Sequence, residues 1–414
     1  MSGGAGHRGR WLTGASVVAV LVVAAVVVLV TRAGPTRPPR VAHVVPAPRG
    51  LGPVPAPVAR GLDPALAAPS GQAFGVNVNL LFNTFSYTPA QIEAQLAAVH
   101  ATGATLARSD ALWEATEPRA PVDGRHTYDW SFDDQIAGAL AANGLTWLPI
   151  LDYTAPWAQS IPGQDHSPPR SDADYAAYAA AFTARYGADG IYWRSHPALT
   201  PTPVTTIEIW NEPDNGEFWT PAPDARGYAD LYLAARGAID TVDPSIRAIV
   251  GGLTAPSTFL PAMLDAVPQL RGHIDGVAIH PYGSPAVVLA KVRGARAALV
   301  SEGMGAVPLY VTEFGWTTGP PGALDYVPAQ WRPGDIATTL ADLGHLDCGV
   351  AASVLYTWVS PRRDATNPQD WFGIADPDDP GAGTPDTAAF SAGLRNAVAP
   401  ETSRAGRAAA PCTG

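Results

Sequence analysis

Cysteine is nearly absent: Cys348 and Cys412 are the only two in 414 residues. Two thiols build neither a disulfide scaffold nor a cysteine-ligated zinc cluster, though they can form one bridge. Excess positive charge is also missing, with 26 Lys and Arg against 37 Asp and Glu, a net charge of -11. Phosphate backbones are bound by basic surfaces, so this balance argues against a nucleic-acid partner. There is no P-loop, no His-Glu-x-x-His zinc site and no Gly-x-Ser-x-Gly nucleophile elbow. No cofactor or metal is expected. Asp376, Asp378 and Asp379 read as a solvated acidic turn in preference to a calcium site.

What is present begins with a short basic segment, residues 1–10. Residues 11–31 follow, with Trp11 to Val30 free of charge. About twenty helical residues at 1.5 Å each match the hydrocarbon thickness of a bilayer. Thr31-Arg-Ala-Gly-Pro is a poor cleavage site, so an uncleaved anchor is favoured over a removed signal. Arg8 and Arg10 precede the span and Arg32, Arg37 and Arg40 follow it, which leaves orientation undecided by charge. Residues 32–72 hold ten prolines and no periodicity, the composition of a semi-rigid spacer. The expected arrangement is a single-pass membrane protein with its folded domain outside the cytoplasm, secreted if the segment is cleaved.

From Phe74 the chain alternates short apolar strands with amphipathic helices. Thr88-Pro-Ala-Gln91 carries a capping box with proline at the first helical position. Strands are expected at 74–79, 104–107, 145–151, 204–210, 246–250, 274–279, 307–312 and 350–358, each followed by a helix. Eight such units predict a (β/α)8 barrel over residues 73–399, with a tail at 400–414. An open doubly wound sheet is the alternative. It would prefer a glycine-rich phosphate turn after the first strand, where Asn77-Val-Asn79-Leu-Leu stands.

In a barrel the functional face lies at the C-terminal ends of the strands. Polar residues gather there: Asn77 and Asn79, Arg108, Asp152 and Tyr153, Asn211 and Glu212, His280 and Tyr282, Glu313, and Trp358. A single carboxylate after a strand means little. Glu212 and Glu313, on the fourth and seventh strands, would face each other across the pore. Cleavage of a glycosidic bond needs such a pair, one acid to protonate the leaving oxygen and one carboxylate at the anomeric carbon.

Trp210-Asn-Glu-Pro213, His280-Pro-Tyr282, Thr312-Glu-Phe-Gly315 and Trp358 together resemble the signature of the retaining glycoside hydrolases with a (β/α)8 barrel. The nearest groups are the cellulase-like family 5 and the β-xylosidase-like family 39. The resemblance implies Glu212 as acid/base and Glu313 as nucleophile. It also implies Asn211 on the sugar 2-hydroxyl, Arg108 and Tyr282 on Glu313, and His280 in the same subsite. Trp358 would be the platform under the sugar, with a cis bond to Val359. Trp113, Trp157, Trp219, Trp316 and Trp371 fall in mouth-side loops, as outer subsites or as packing.

Cys348 precedes the eighth strand, and the last helix returns the chain to that same end, so a Cys348–Cys412 bridge is expected. The expected partner is a β-linked carbohydrate, and the chain is expected to act as a monomer. A non-catalytic carbohydrate-binding barrel and a transglycosylase remain as alternatives to the hydrolase.

Overall fold

The computed structural model describes residues 71–398 and 410–412. The expectations for residues 1–10, 11–31, nearly all of 32–72 and most of 400–414 therefore lie outside the described residues. Among the described residues, no helix is long and apolar enough to cross a membrane.

The barrel strands are β1 (Ala73–Asn77), β2 (Leu106–Leu112), β3 (Thr146–Asp152), β4 (Thr206–Ile209), β5 (Arg247–Leu253), β6 (Val277–Ile279), β7 (Leu309–Val311) and β8 (Val350–Leu355). They pair in parallel in sequence order, and β8 closes on β1. The helices that return the chain are α1 (Pro89–Ala101), α2 (Ser131–Ala142), α3 (Asp172–Tyr186), α4 (Ala225–Val242), α5 (Pro256–Ala266), α6 (Pro285–Ser301), α7 (Arg332–Gly344) and α8 (Pro385–Ala397). Thr88 and Gln91 form the expected capping box at α1, and Thr384 and Thr387 form a second at α8. The expected (β/α)8 barrel is the fold observed.

The pore is packed, as alternate strand residues require. Leu106, Leu148, Ile249, Ala278, Tyr310 and Val354 form one buried layer inside the barrel. The opposite strand faces pack on the helices in a second, larger cluster. Tyrosines on α3 and α4 tie that outer layer to the strand ends. Tyr175 donates to the Leu151 carbonyl at 2.5 Å and Tyr178 to that of Ala111 at 2.8 Å. Tyr228 donates to Ile209 at 2.7 Å and accepts from the Gly251 N–H at 2.7 Å. These hydroxyls satisfy buried backbone groups where the ladder ends, close to the barrel mouth.

Several strand ends differ from expectation: β1 stops at Asn77 and β5 runs on to Leu253. β2 runs on to Leu112, so Arg108 lies within the strand. β4 stops at Ile209 and β8 at Leu355, earlier than their apolar runs. At the opposite end of the barrel, Cys348 and Cys412 are joined by a disulfide with Cα atoms 4.9 Å apart. Beside it Ala410–Pro411 pairs in parallel with Leu346–Asp347.

Candidate active site

The site is built around Arg108, which is fully buried on the pore face. Its Nε donates to Glu208 Oε2 at 2.8 Å and Nη2 to Glu208 Oε1 at 3.1 Å. Nη1 donates to Glu313 Oε1 at 2.5 Å, and Nη2 also reaches Asn211 Oδ1 at 3.1 Å. One guanidinium thus aligns β2, β4 and the loop after β7. Glu208 escaped the sequence reading. It sits inside β4, fully buried, and its Oε1 also accepts from the Gly252 N–H at 2.8 Å and the Thr312 hydroxyl at 3.2 Å.

After Ile209 the chain leaves the pleat. Trp210 and Glu212 both have positive φ, 67° and 45°, unusual for residues other than glycine. Trp210 is buried and donates from Nε1 to the Phe218 carbonyl at 2.7 Å. Asp214 accepts from the N–H groups of Thr254 at 3.1 Å and Ala255 at 2.6 Å, holding the turn to the end of β5. This path carries Asn211 and Glu212 over the pore. Glu212 Oε2 accepts from Asn215 Nδ2 at 2.8 Å, a second contact the sequence reading missed.

His280 lies between the glutamates. Its Nδ1 is 2.7 Å from Glu212 Oε1 and 3.6 Å from Glu313 Oε2. Nε2 faces the Thr312 hydroxyl at 3.1 Å. Burial works against a charged ring, but the charge of Glu313 and the hydrogen bond with Glu212 outweigh it, so the imidazole is pushed above its ordinary value. Tyr282 donates its hydroxyl to Glu313 Oε2 at 2.8 Å. Burial pushes the Glu313 carboxyl up, yet the charges of His280 and Arg108 and the donors of Tyr282 and Arg108 prevail and hold it below the usual range. One oxygen each of Glu212 and Glu313 and one nitrogen of His280 lie within 4.8 Å of one another. That spacing could hold a metal ion, but Arg108, Tyr282 and Asn215 already donate to the two carboxylates. The set is suited to holding and moving protons.

Trp358 requires a correction. It is 1% exposed, and its Nε1 donates to Gln95 Oε1 on α1 at 2.7 Å. The indole therefore packs between barrel and helix, outside the mouth. The cis bond expected at Trp358–Val359 lies instead at Tyr356–Thr357. Tyr356 continues the inward alternation of Val354 and is the aromatic beside the site. Its ring meets Tyr282 edge-on at 6.4 Å and Phe372 at 5.4 Å. Of the five loop tryptophans, Trp113, Trp219 and Trp316 are buried packing, while Trp157 and Trp371 are half-buried. Asp376 caps its own turn by accepting from the N–H groups of Asp378 and Asp379.

No protein-family model matches the chain, and no curated protein matches it by sequence. Solved structures do. The GH39 enzyme from Xanthomonas axonopodis pv. citri aligns with a TM-score of 0.61 at 21% identity, over 78% of this chain and 66% of that one. A monomeric β-xylosidase from Caulobacter crescentus CB15 gives 0.61 at 22% identity, over 78% and 68%. A fungal β-1,4-galactanase gives 0.52 at 17% identity, over 79% of this chain and 100% of that one. At these identities the likeness establishes a common fold. The chain shares the (β/α)8 barrel of these glycoside hydrolases and spans about two thirds of the length of the first two.

Proposed function

We propose that the protein is a retaining glycosidase acting on β-linked glycans or β-glycosides. The observation that carries the reading is the carboxylate spacing. Oxygens of Glu212 and Glu313 lie within 4.8 Å, with His280 between them. Inverting enzymes separate their carboxyl groups by about 6.5–9.5 Å to admit a water, whereas retaining ones hold them about 5 Å apart. The similar solved structures include a β-xylosidase and a β-1,4-galactanase, which supports a β-linked substrate.

In this reading Glu313 is the nucleophile. Arg108 and Tyr282 keep it ionised and fix its two oxygens, so that Oε2 attacks the anomeric carbon. Glu212 donates its proton to the leaving oxygen, then takes one from the water that releases the sugar. His280 and Asn215 hold Glu212 throughout. Asn211, fixed by Arg108, is placed for the sugar 2-hydroxyl, and Tyr356 replaces Trp358 as the aromatic wall. The uncharged Trp11–Val30 run and the Cys348–Cys412 bridge support a domain anchored outside the cytoplasm.

The test is an aryl β-glycoside panel with Glu313→Gln and Glu212→Ala. Glu313→Gln should lose about 10⁴-fold or more in kcat, on the scale of covalent catalysis. Azide should restore turnover by Glu212→Ala and yield a β-glycosyl azide. Near-normal rates in Glu313→Gln, or an inverted product seen by NMR, would overturn the assignment.

A further inference from the structure

Two acids at the mouth have no part in the chemistry above. Asp110 lies on β2, where it follows Leu106 and Arg108 at two-residue intervals on the pore face; Asp152 ends β3. They are 9% and 1% exposed. Asp110 is well held. It accepts from Asn79 Nδ2 at 2.8 Å and Asn83 Nδ2 at 2.5 Å, and its N–H donates to Asn79 Oδ1 at 3.0 Å. Asp152 is not: its Oδ1 is buried with no hydrogen-bond partner among the described residues. Nδ2 of Asn77, on the end of β1, is a buried donor in the same condition. Asn77 pairs in register with Arg108, so the orphan donor lies on the wall that carries the acids.

A buried polar group without a partner costs stability, and folds keep few of them. Burial first, and then the charge of Asp110, push the Asp152 carboxyl well above its ordinary range. Burial pushes Asp110 up to about 6. The charge of Arg108 opposes this rise without overcoming it, and its hydrogen bonds go to Glu208, Glu313 and Asn211. The pair has the form of a half-completed hydrogen-bond set whose other half is a ligand.

We propose that Asp110 and Asp152 bind hydroxyls on adjacent carbons of the reacting sugar, which makes the preferred glycon a neutral sugar with a free vicinal diol. This rests on the glycosidase reading. A hydroxyl both donates and accepts. The orphaned Asp152 Oδ1 can accept from one hydroxyl and Asp110 from the next, with the Asn77 amide as a donor to either. A sugar carboxylate would instead meet acceptors of its own kind at Asp110 and Asp152. Sites built around a substrate hydroxyl strongly reject analogues that lack it.

The experiment uses the full chain and aryl β-glycosides: the best neutral substrate, its 3-deoxy and 4-deoxy analogues, and the β-glucuronide. Wild type should lose about 100-fold or more in kcat/KM on one deoxy analogue and be poorer still on the glucuronide. Asp152→Leu, similar in size and apolar, should lose about tenfold or more on the parent sugar yet little on that deoxy analogue. Its melting temperature should equal or exceed wild type, because the orphaned carboxyl is gone. A structural residue would behave oppositely, with a lower melting temperature and equal losses on all substrates; either result overturns the proposal, as does a preference for the glucuronide. Asp152→Ala provides the same comparison if the leucine is too bulky. If wild type cleaves no glycoside, the glycosidase reading fails separately. Calorimetric titration of the neutral monosaccharide into wild type and Asp152→Leu then decides, weaker binding by the variant supporting the pair and equal binding overturning it.

Discussion

At the scale of the residue, Arg108 sets the electrostatics of the site. Glu208 holds two of its nitrogens, and the remaining Nη1 is thereby aimed at Glu313. A buried ion pair adds little net stability, because desolvation offsets attraction, but it fixes geometry. Tyr282 acts on the same carboxylate from the other side. Its hydroxyl stabilises the charged form of Glu313, one of the influences that keep this acid below the usual range. Removing that donor must therefore raise the pKa of Glu313. Tyr282→Phe should move the acid limb of the kcat/KM profile to higher pH, by about one unit for a hydrogen bond to a charged group. The pH profile on an aryl β-glycoside checks this. A limb that stays in place while kcat falls would make Tyr282 a contact to substrate only.

At the scale of the element, β5 contributes absence rather than side chains. Gly252 lies where a Cβ would come within 2.0 Å of His280 Nε2, and a Cβ on Gly251 would come within 2.1 Å of the Trp210 carbonyl. Gly252→Ala should displace His280, lower activity by about tenfold or more, and cost about 1–3 kcal/mol through overpacking; parallel activity and denaturation curves read both. The strand order and the two glutamates were legible because an apolar run followed by a helical stretch recurs eight times, and because carboxylates after such runs need only sequence position to be noticed. Strand ends were less legible. Hydropathy continues past the point where the ladder stops, so the apolar stretch to Trp358 read as strand although the pleat ends at Leu355. Trp358 was therefore assigned to the mouth and Tyr356 passed over. Glu208 was hidden for the opposite reason. Within a short strand it reads as an ordinary alternating polar residue, and only the arrival of Arg108 from about a hundred residues away gives it a role. Asn215 and the Asp110–Asp152 pair likewise depend on which loops and strands become neighbours.

At the scale of the whole molecule, two devices hold the barrel together without touching the catalytic residues, one on the mouth side and one at the other end. His126 closes the loop after β2, with Nδ1 2.8 Å from Glu117 and Nε2 3.7 Å from Asp174. The hydrogen bond to Glu117 raises its pKa above the ordinary histidine value, with burial opposing. A raised folded-state pKa gives stability that is present below the unfolded value of about 6.5 and lost as pH rises through the folded value. The difference in denaturation midpoint between wild type and His126→Gln should thus be largest near about pH 6 and shrink toward about pH 9; a gap independent of pH would refute this. The second device is the Cys348–Cys412 bridge, which closes a sequence separation of 64 residues at the end of the barrel opposite the mouth. Chain entropy assigns a loop of that length about 4 kcal/mol. The Cys348 loop has a second anchor, however: Arg296 donates to the carbonyls of Cys348, Gly305 and Val307 at 2.8, 2.7 and 2.8 Å. These bonds go to backbone carbonyls and do not require the disulfide chemically. Replacing both cysteines by serine should therefore lower the denaturation midpoint toward the chain-entropy value while leaving turnover at 25 °C unchanged. A loss of activity in the folded variant would show that the bridge end and the mouth are coupled through the strands, and an unchanged midpoint would show that Arg296 alone secures that end.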